Sequence, residues 1–352
     1  MFYRENGQFK TSYAADQAIF PILQDRIAII AILLVGFLVV PLVATEYVYT
    51  GILIPFLILA LATIGLNLLT GYCGQVSLGT GAFMAVGAYA AYNLVLRVPG
   101  MNLLLAFALA GAIAALVGVL FGLPSLRIKG FYLAVATLAA QFFIDWVFIR
   151  IKWFTNYATN ATAPELLLFG IPLDSAMRRY LVTLAIVVVM ALIAKNLVRG
   201  ATGRAWMAVR DMDIAAEIIG IRLLRTKLIA FAVSSFYCGL AGALWGFMHL
   251  GAWEPLTFDV NRSFQVLFMV IIGGVGSILG SFLGAAFIFA VPILINQVPA
   301  ALGVPISTAL SSHLEAMIFG ALIIFFLIVE PHGFARLWQL GKEKLRLWPL
   351  PH

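Results

Sequence analysis

Charge is scarce in this chain. Asp, Glu, Lys and Arg together make up 11% of its 352 residues, against about 25% in a soluble globular protein. Mean hydropathy is +1.05. Such a composition excludes a water-exposed globular domain and points to repeated crossings of a bilayer. The formal net charge of +7 suggests a nucleic-acid partner at first sight. In a membrane protein, however, Lys and Arg gather on cytoplasmic flanks, and no nucleic-acid partner is expected.

Cysteine is nearly missing as well. Cys73 and Cys238 each lie beside or within an apolar run, so there is no disulfide framework and no metal-ligand spacing. Both read as small buried hydrophobes. No nucleophile–base constellation marks a catalytic centre. The string G-x-x-x-x-G-K-[ST] does not occur. The Gly273–Gly276 run lacks the lysine and sits in an apolar segment, so the chain is not expected to cradle a nucleotide itself. No basic–apolar–small-residue leader precedes the first apolar run, and the opening helix is expected to be retained.

Apolar runs are what the chain has in quantity. Runs of about 16–23 residues match the length a helix needs to cross hydrocarbon. The pattern predicts an all-α, polytopic membrane protein with about ten spans, near 27–43, 51–69, 76–96, 101–123, 131–149, 180–197, 228–250, 264–279, 282–298 and 314–329. The pair at 264–279 and 282–298, parted by Gly280 and Ser281, reads equally as a re-entrant or broken element, which would leave eight spans. Residues 1–26 form a polar N-terminal segment, 27–330 the membrane domain and 331–352 a C-terminal tail.

Charge orients the bundle. With the N-terminus in the cytoplasm, sixteen basic residues fall inside: Arg4, Lys10, Arg26, Arg127, Lys129, seven between Lys195 and Lys227, and Arg336, Lys342, Lys344 and Arg346. Six fall outside: Arg97, Arg150, Lys152, Arg178, Arg179 and Arg262. This asymmetry predicts an even number of spans with both termini cytoplasmic. The longest outer segment, 150–179, carries Asn156, Asn160, Thr162, Pro164 and Pro172. It is too broken to span and reads either as a cap or partner-docking surface, or as an ordinary loop.

The longest charge-dense insert is GRAWMAVRDMDIAAEIIGIRLLRTK, from Gly203 to Lys227. Over 203–220 it is predicted to be one amphipathic helix. Ala208, Met212, Ala215 and Ile219 share one stripe, and Trp206, Arg210, Asp213 and Glu217 another. Arg210 is expected to pair with Asp213 at i+3. Gly203 would start this helix and Gly220 end it in a left-handed cap. On pattern alone it is either a basic loop lying on the membrane or a docking helix for a soluble motor.

Glycine and buried polar residues mark a second feature. Gly276-Gly280-Gly284 and the looser Gly79-Phe83-Gly87 let helix backbones approach closely. Asn67, Gln75, Ser77, Gln265 and Ser277 sit in or next to these apolar segments and should face the bundle interior. With Gly79, Gly274, Gly276 and Gly280 they form the candidate translocation path; for each polar member alone, a hydrogen bond between helices is the plainer role. Gly74-x-x-Ser77 is echoed by Gly274-x-x-Ser277, as in transporters with internal repeats. Asp145, within reach of Arg150, Glu315, beside His313, and His249 read as interface groups.

Gly203-Arg204, Ala208, Arg210, Ala215-Ala216 and Gly220-Ile221 together resemble the cytoplasmic loop of the permease subunits of branched-chain amino acid ABC importers, specifically the M-type (LivM-like) subunit. Gly65–Gly71, Gly74–Gly79, Gly81–Phe83, Gly87–Tyr89, Gly273–Ser277 with Gly280 and Gly284, and the ending Glu330-Pro331, Gly333 and Leu347–Pro349 are similar to that family too, so the resemblance covers about residues 50–350. Importers more widely read E-A-A-x-x-x-G in this loop; here Ile214 holds the Glu position, with Asp213 before it and Glu217 after. The resemblance implies that Gly203, Arg204, Ala208, Arg210, Asp213, Ala215, Ala216, Glu217 and Gly220 couple the chain to an ATPase. It also implies a second permease subunit, two ATPase subunits that bind the ATP, a periplasmic solute-binding protein and a bacterial inner membrane. Branched-chain or other apolar amino acids are the implied cargo; related permeases serve urea, short amides or aromatic acids. A secondary transporter or channel for a small neutral solute is the competing class, resting on Asn67, Gln75 and Asp145 alone.

Overall fold

The computed structural model describes residue 12 and residues 23–125, 132–157, 161–162, 167–168, 170–301, 308–329 and 333–347. Arg4, Lys10, Arg127, Lys129, Asn160, Pro164, Glu330, Pro331, Trp348 and Pro349, and the side chain of Glu315, lie outside them. The described architecture is helical apart from four two-residue strands. Its helices are α1 (Asp25–Val43), α2 (Val48–Tyr72), α3 (Thr80–Arg97), α4 (Leu103–Ser125), α5 (Tyr132–Arg150), α6 (Ala176–Arg199), α7 (Ala201–Asp211), α8 (Asp213–Ile218), α9 (Leu223–Leu250), α10 (Val260–Gly273), α11 (Ile278–Ala301), α12 (Thr308–Val329) and α13 (Gly333–Leu347). Among the described residues, eight helical segments are long and apolar enough to cross a membrane.

Burial sorts the helices. α2, α3 and α9 form the centre, with nearly every residue from Ile54 to Leu69 buried. α3 is missing from the eight apolar crossings for a physical reason. Shielded from lipid on all sides, it can afford glycine, alanine, tyrosine and asparagine in place of long aliphatic side chains. α1 is the opposite case: Ile32, Leu38, Leu42 and Val43 point outward, as lipid-facing side chains do. Close approach at the centre depends on glycine. A side chain at Gly87 would run into the backbone of Gly239, so α3 and α9 touch backbone to backbone there.

Two links between helices break the helical run. The chain is non-helical from 74 to 79 between α2 and α3, where a continuous helix from 76 was expected. It breaks again between α10 and α11, at 274–277 and not at Gly280 and Ser281. Gly274 and Gly276 adopt φ of +119° and +79°, whereas Gly280 is helical and packs on Gly273 of α10. The expected stripe Gly276-Gly280-Gly284 is therefore split: Gly276 makes the turn, and Gly280 and Gly284 hold the two helices together.

The 150–179 segment is a cap in its described part. β1 (Ala161–Thr162) pairs antiparallel with β4 (Ala252–Trp253), and β2 (Leu167–Leu168) with β3 (Ile171–Pro172). Arg97 lies over the Trp153 ring at 3.6 Å and donates to its carbonyl at 2.7 Å. At the other end, Lys342 of α13 pairs with Asp25 of α1 at 3.0 Å. Both lie within electrostatic reach of Lys195 near the end of α6. The start of the first crossing, the C-terminal helix and the α6–α7 corner thus share one side of the molecule.

Candidate coupling and gating site

The chain leaves the helix at two links deep in the structure, 74–79 and 274–277, and helix ends leave backbone groups without partners. Side chains from other helices supply them. Asn67 of α2 is fully buried at the second break. Its Nδ2 lies 2.9 Å from the Ser277 carbonyl, 2.9 Å from Ser281 Oγ and 3.3 Å from the Gly274 carbonyl, and its Oδ1 accepts from the Gly276 N–H at 2.8 Å. Ser277 Oγ accepts the Gly280 N–H at 3.0 Å, capping the start of α11.

At the first break the start of α3 is capped from a distance. Leu78 N–H donates to Thr137 Oγ1 at 2.9 Å, Gly81 N–H to Ser263 Oγ at 2.7 Å, and Ala82 N–H to Gln141 Oε1 at 2.6 Å. Ser263 Oγ donates to Gln141 Oε1 at 2.9 Å, while Gln141 Nε2 donates to the Phe258 carbonyl at 2.8 Å and to Asp145 at 3.0 Å. Asp145 thus meets Gln141, one turn away on α5. Gln75 and Ser77 are buried in the break, Gln75 Oε1 without a hydrogen-bond partner. Gly79 packs on the backbone of Thr137. Thr137, Gln141 and Ser263 were not singled out from sequence; the available signal was the i, i+4 spacing of Gln141 and Asp145 in an apolar run.

The charged insert is two helices where one was expected. Gly200, extended at φ −71° and ψ 179°, ends α6 and caps α7, so the helix begins before Gly203. Gly203 is buried inside α7, against the backbone of Val198. The helix then breaks at Met212 (φ −158°, ψ 92°). Two aspartates flank that break. Asp is a weak former in a helix interior but favoured in a first turn, so Asp213 begins α8 rather than continuing α7. Arg210 consequently bonds Asp211 at 2.8 Å and not Asp213. Trp206, expected to share a stripe with Arg210, Asp213 and Glu217, is fully buried, and its Nε1 donates to the Thr226 carbonyl at 3.1 Å. Gly220 does close the segment with φ +90°, Ile221 N–H reaching the Ala216 carbonyl at 3.0 Å. Arg204, Ala215 and Glu217 are exposed, Ala208 is half-buried and Ala216 is buried. Arg204 donates to the Arg199 carbonyl at 3.0 Å, on the last turn of α6.

Two surfaces of this segment matter. Outward, Met212, Ile214, Ile218 and Ile219 are exposed by 69%, 66%, 81% and 73%. Inward, Arg210 Nη1 donates to the Gly71 carbonyl at 2.9 Å. A Cβ at Gly74 would lie 2.9 Å from Arg210 Cγ, and one at Gly71 would strike Asn67 and the Gly276 backbone. Both breaks and the charged segment therefore meet at one point. Gly333, at the start of α13, is packed there too, on Ile272 and Gly274. A polar cavity of about 330 Å³ opens beside it, lined by Cys73, Gly74, Gln75, Arg210, Asp211 and Asp213 among others. Gln265 lies elsewhere, one turn beyond Arg262 on α10, where its Oε1 accepts from Arg262 Nη1 at 2.6 Å. His249 packs edge-on against Trp245.

Comparison with known proteins adds independent information. Residues 48–327 match the family model described as branched-chain amino acid transport system / permease component. The chain is 28% identical over 308 residues to the high-affinity branched-chain amino acid transport system permease protein LivM of Salmonella typhimurium, covering 81% of this chain and 68% of that protein. The LivM of Escherichia coli gives the same identity and coverage. A probable LivM of Methanocaldococcus jannaschii is 25% identical over 241 residues, 66% of this chain and 67% of that one. No solved structure matches the chain.

Proposed function

Because the chain belongs to the permease-component family of branched-chain amino acid transport systems, we propose that it is one of two permease subunits of an ATP-driven importer in a bacterial inner membrane. The cargo is a branched-chain or related apolar amino acid, delivered by a periplasmic binding protein. ATP is bound by two separate ATPase subunits, which grip the 201–220 segment in the cytoplasm. Both termini of the chain lie on that side.

The observation that carries this reading is the bond from Arg210 to the Gly71 carbonyl. It joins a segment whose apolar face has no cover in the single chain to the point where both helix breaks meet. Irregular backbone inside a membrane protein is tolerated where it is buried in protein or lines a cavity. A pull on α7 and α8 acts directly on Gly71 and Gly74, and through Asn67 on Gly276. A near-complete flip between inward- and outward-open states needs about 5.5 kcal/mol of differential affinity, which ATP-driven closure of the motor supplies.

The test is Arg210→Ala in the reconstituted complex. Expected are normal co-purification with the ATPases and uptake per ATP hydrolysed lower by about tenfold or more, equal to about 1.4 kcal/mol of lost coupling. Uptake and ATP turnover both at wild-type levels would overturn the coupling role.

A further inference from the structure

A second cavity, of about 750 Å³, opens at the start of α10, away from the coupling junction. That volume is ordinary for a small-molecule site, about 300–1,000 Å³. Asp259, Arg262 and Gln265 line it together with Phe264, Phe268 and Phe319.

Its depth follows from hydrogen bonds already described. Gln141 is the central residue of α5, a helix of 19 residues. It bonds the Phe258 carbonyl and Ser263 Oγ, on either side of Asp259 and Arg262. The first turn of α10 is therefore level with the middle of a membrane-crossing helix. Arg262, expected in an outer loop, sits in that turn.

Both charges there are held in place. Asp259 caps α10, its Oδ1 accepting the Arg262 N–H at 3.2 Å and its Oδ2 the Asn261 amide at 2.6 Å. The Arg262 guanidinium lies 4.5 Å over the Trp245 ring and donates to Gln265 at 2.6 Å. Among the described residues no ion pair joins Asp259 to Arg262. One carboxylate and one guanidinium thus line a single cavity, within electrostatic reach of each other but not joined as an ion pair.

A fixed positive and a fixed negative pole select a molecule that carries both charges. A lone amine meets Arg262 and a lone carboxylate meets Asp259, each at a cost that membrane depth raises. The aromatic wall takes an aliphatic side chain. We propose that this cavity is a zwitterion-reading site, with the α-carboxylate of an amino acid at Arg262, its α-ammonium at Asp259 and its side chain against Phe264, Phe268 and Phe319. The inference rests on the permease reading and deepens it: the membrane subunit reads the cargo's head group itself.

The experiment uses the assembled complex in nanodiscs, without binding protein, and equilibrium binding of radiolabelled leucine. Isoamylamine, which lacks the carboxylate, and 4-methylvalerate, which lacks the ammonium, are expected to compete on the order of tenfold less well than leucine, because a site built for a polar group rejects analogues without it. Arg262→Gln is expected to weaken leucine by a similar factor and to abolish the preference for leucine over the amine; Arg262→Lys retains part of it. Equal competition by the singly charged analogues on the wild-type complex would overturn the proposal, whatever the variants do. So would a complex that assembles and imports leucine but binds none, or an Arg262→Gln complex that binds as wild type. Failure of the chain to assemble with ATPases would instead overturn the permease reading beneath it.

Discussion

Asn67 shows how much one side chain carries when it caps the turn between two helices. Its amide serves the Ser277 and Gly274 carbonyls, Ser281 Oγ and the Gly276 N–H. Leaving a buried donor or acceptor unpaired costs about 1–3 kcal/mol per group. Asn67→Leu therefore strands the Gly276 N–H, while the Ser277 carbonyl keeps its bonds from the Ser281 N–H and Oγ. The purified complex should melt at a clearly lower temperature, and uptake should fall with it; an unchanged melting temperature would show that the break has other support. Asn67 and Ser277 stood out in the sequence because a polar group in a glycine-rich apolar run must find a partner inside the bundle. Thr137, Gln141 and Ser263 did not. No glycine-rich stretch flags them, and the backbone groups that Thr137, Gln141 and Ser263 cap lie at or just before the start of α3, far away in sequence.

At the scale of the element, charge density located the 201–220 segment but not its bend. The hydrophobic stripes fit one continuous helix, and Asp211 and Asp213 decide otherwise by favouring a new helix start. The bend has a consequence: it leaves Trp206 anchored under α9 while α8 turns Ile214 and Ile218 outward. Burying such a side chain in a partner contributes about 1.5–3 kcal/mol. Ile214→Ser with Ile218→Ser should therefore cut co-purification with the ATPase subunits sharply, with the permease still inserted and monodisperse. Full recovery of the ATPases with this variant would mean that the apolar face is not the one gripped. The two helix breaks were legible only as glycine-rich stretches. Their positions depend on partners from α5 and α10 at the first and from α2 at the second, which no local pattern reveals.

For the whole molecule, length and apolarity settled the fold class, because nothing except repeated helices suits a chain with so little charge. The expected span edges near 27–43, 101–123, 131–149 and 180–197 match α1, α4, α5 and α6 within a few residues. Sidedness is a separate matter, inferred from where Lys and Arg accumulate. The pairing of Asp25 with Lys342 requires the first crossing to begin on the side where the C-terminal helix lies, which agrees with an even number of crossings. If that side is cytoplasmic, Met212 faces the cell interior and Tyr157, in the cap, faces the periplasm. Both are exposed, whereas the native Cys73 and Cys238 are buried at 2% and 1%, so single introduced cysteines can be read against a quiet background. A membrane-impermeant maleimide applied to spheroplasts should label Tyr157→Cys directly and Met212→Cys only after permeabilisation. The reverse pattern would place the apolar face of α8 outside the cell, beyond the reach of any ATP-driven motor.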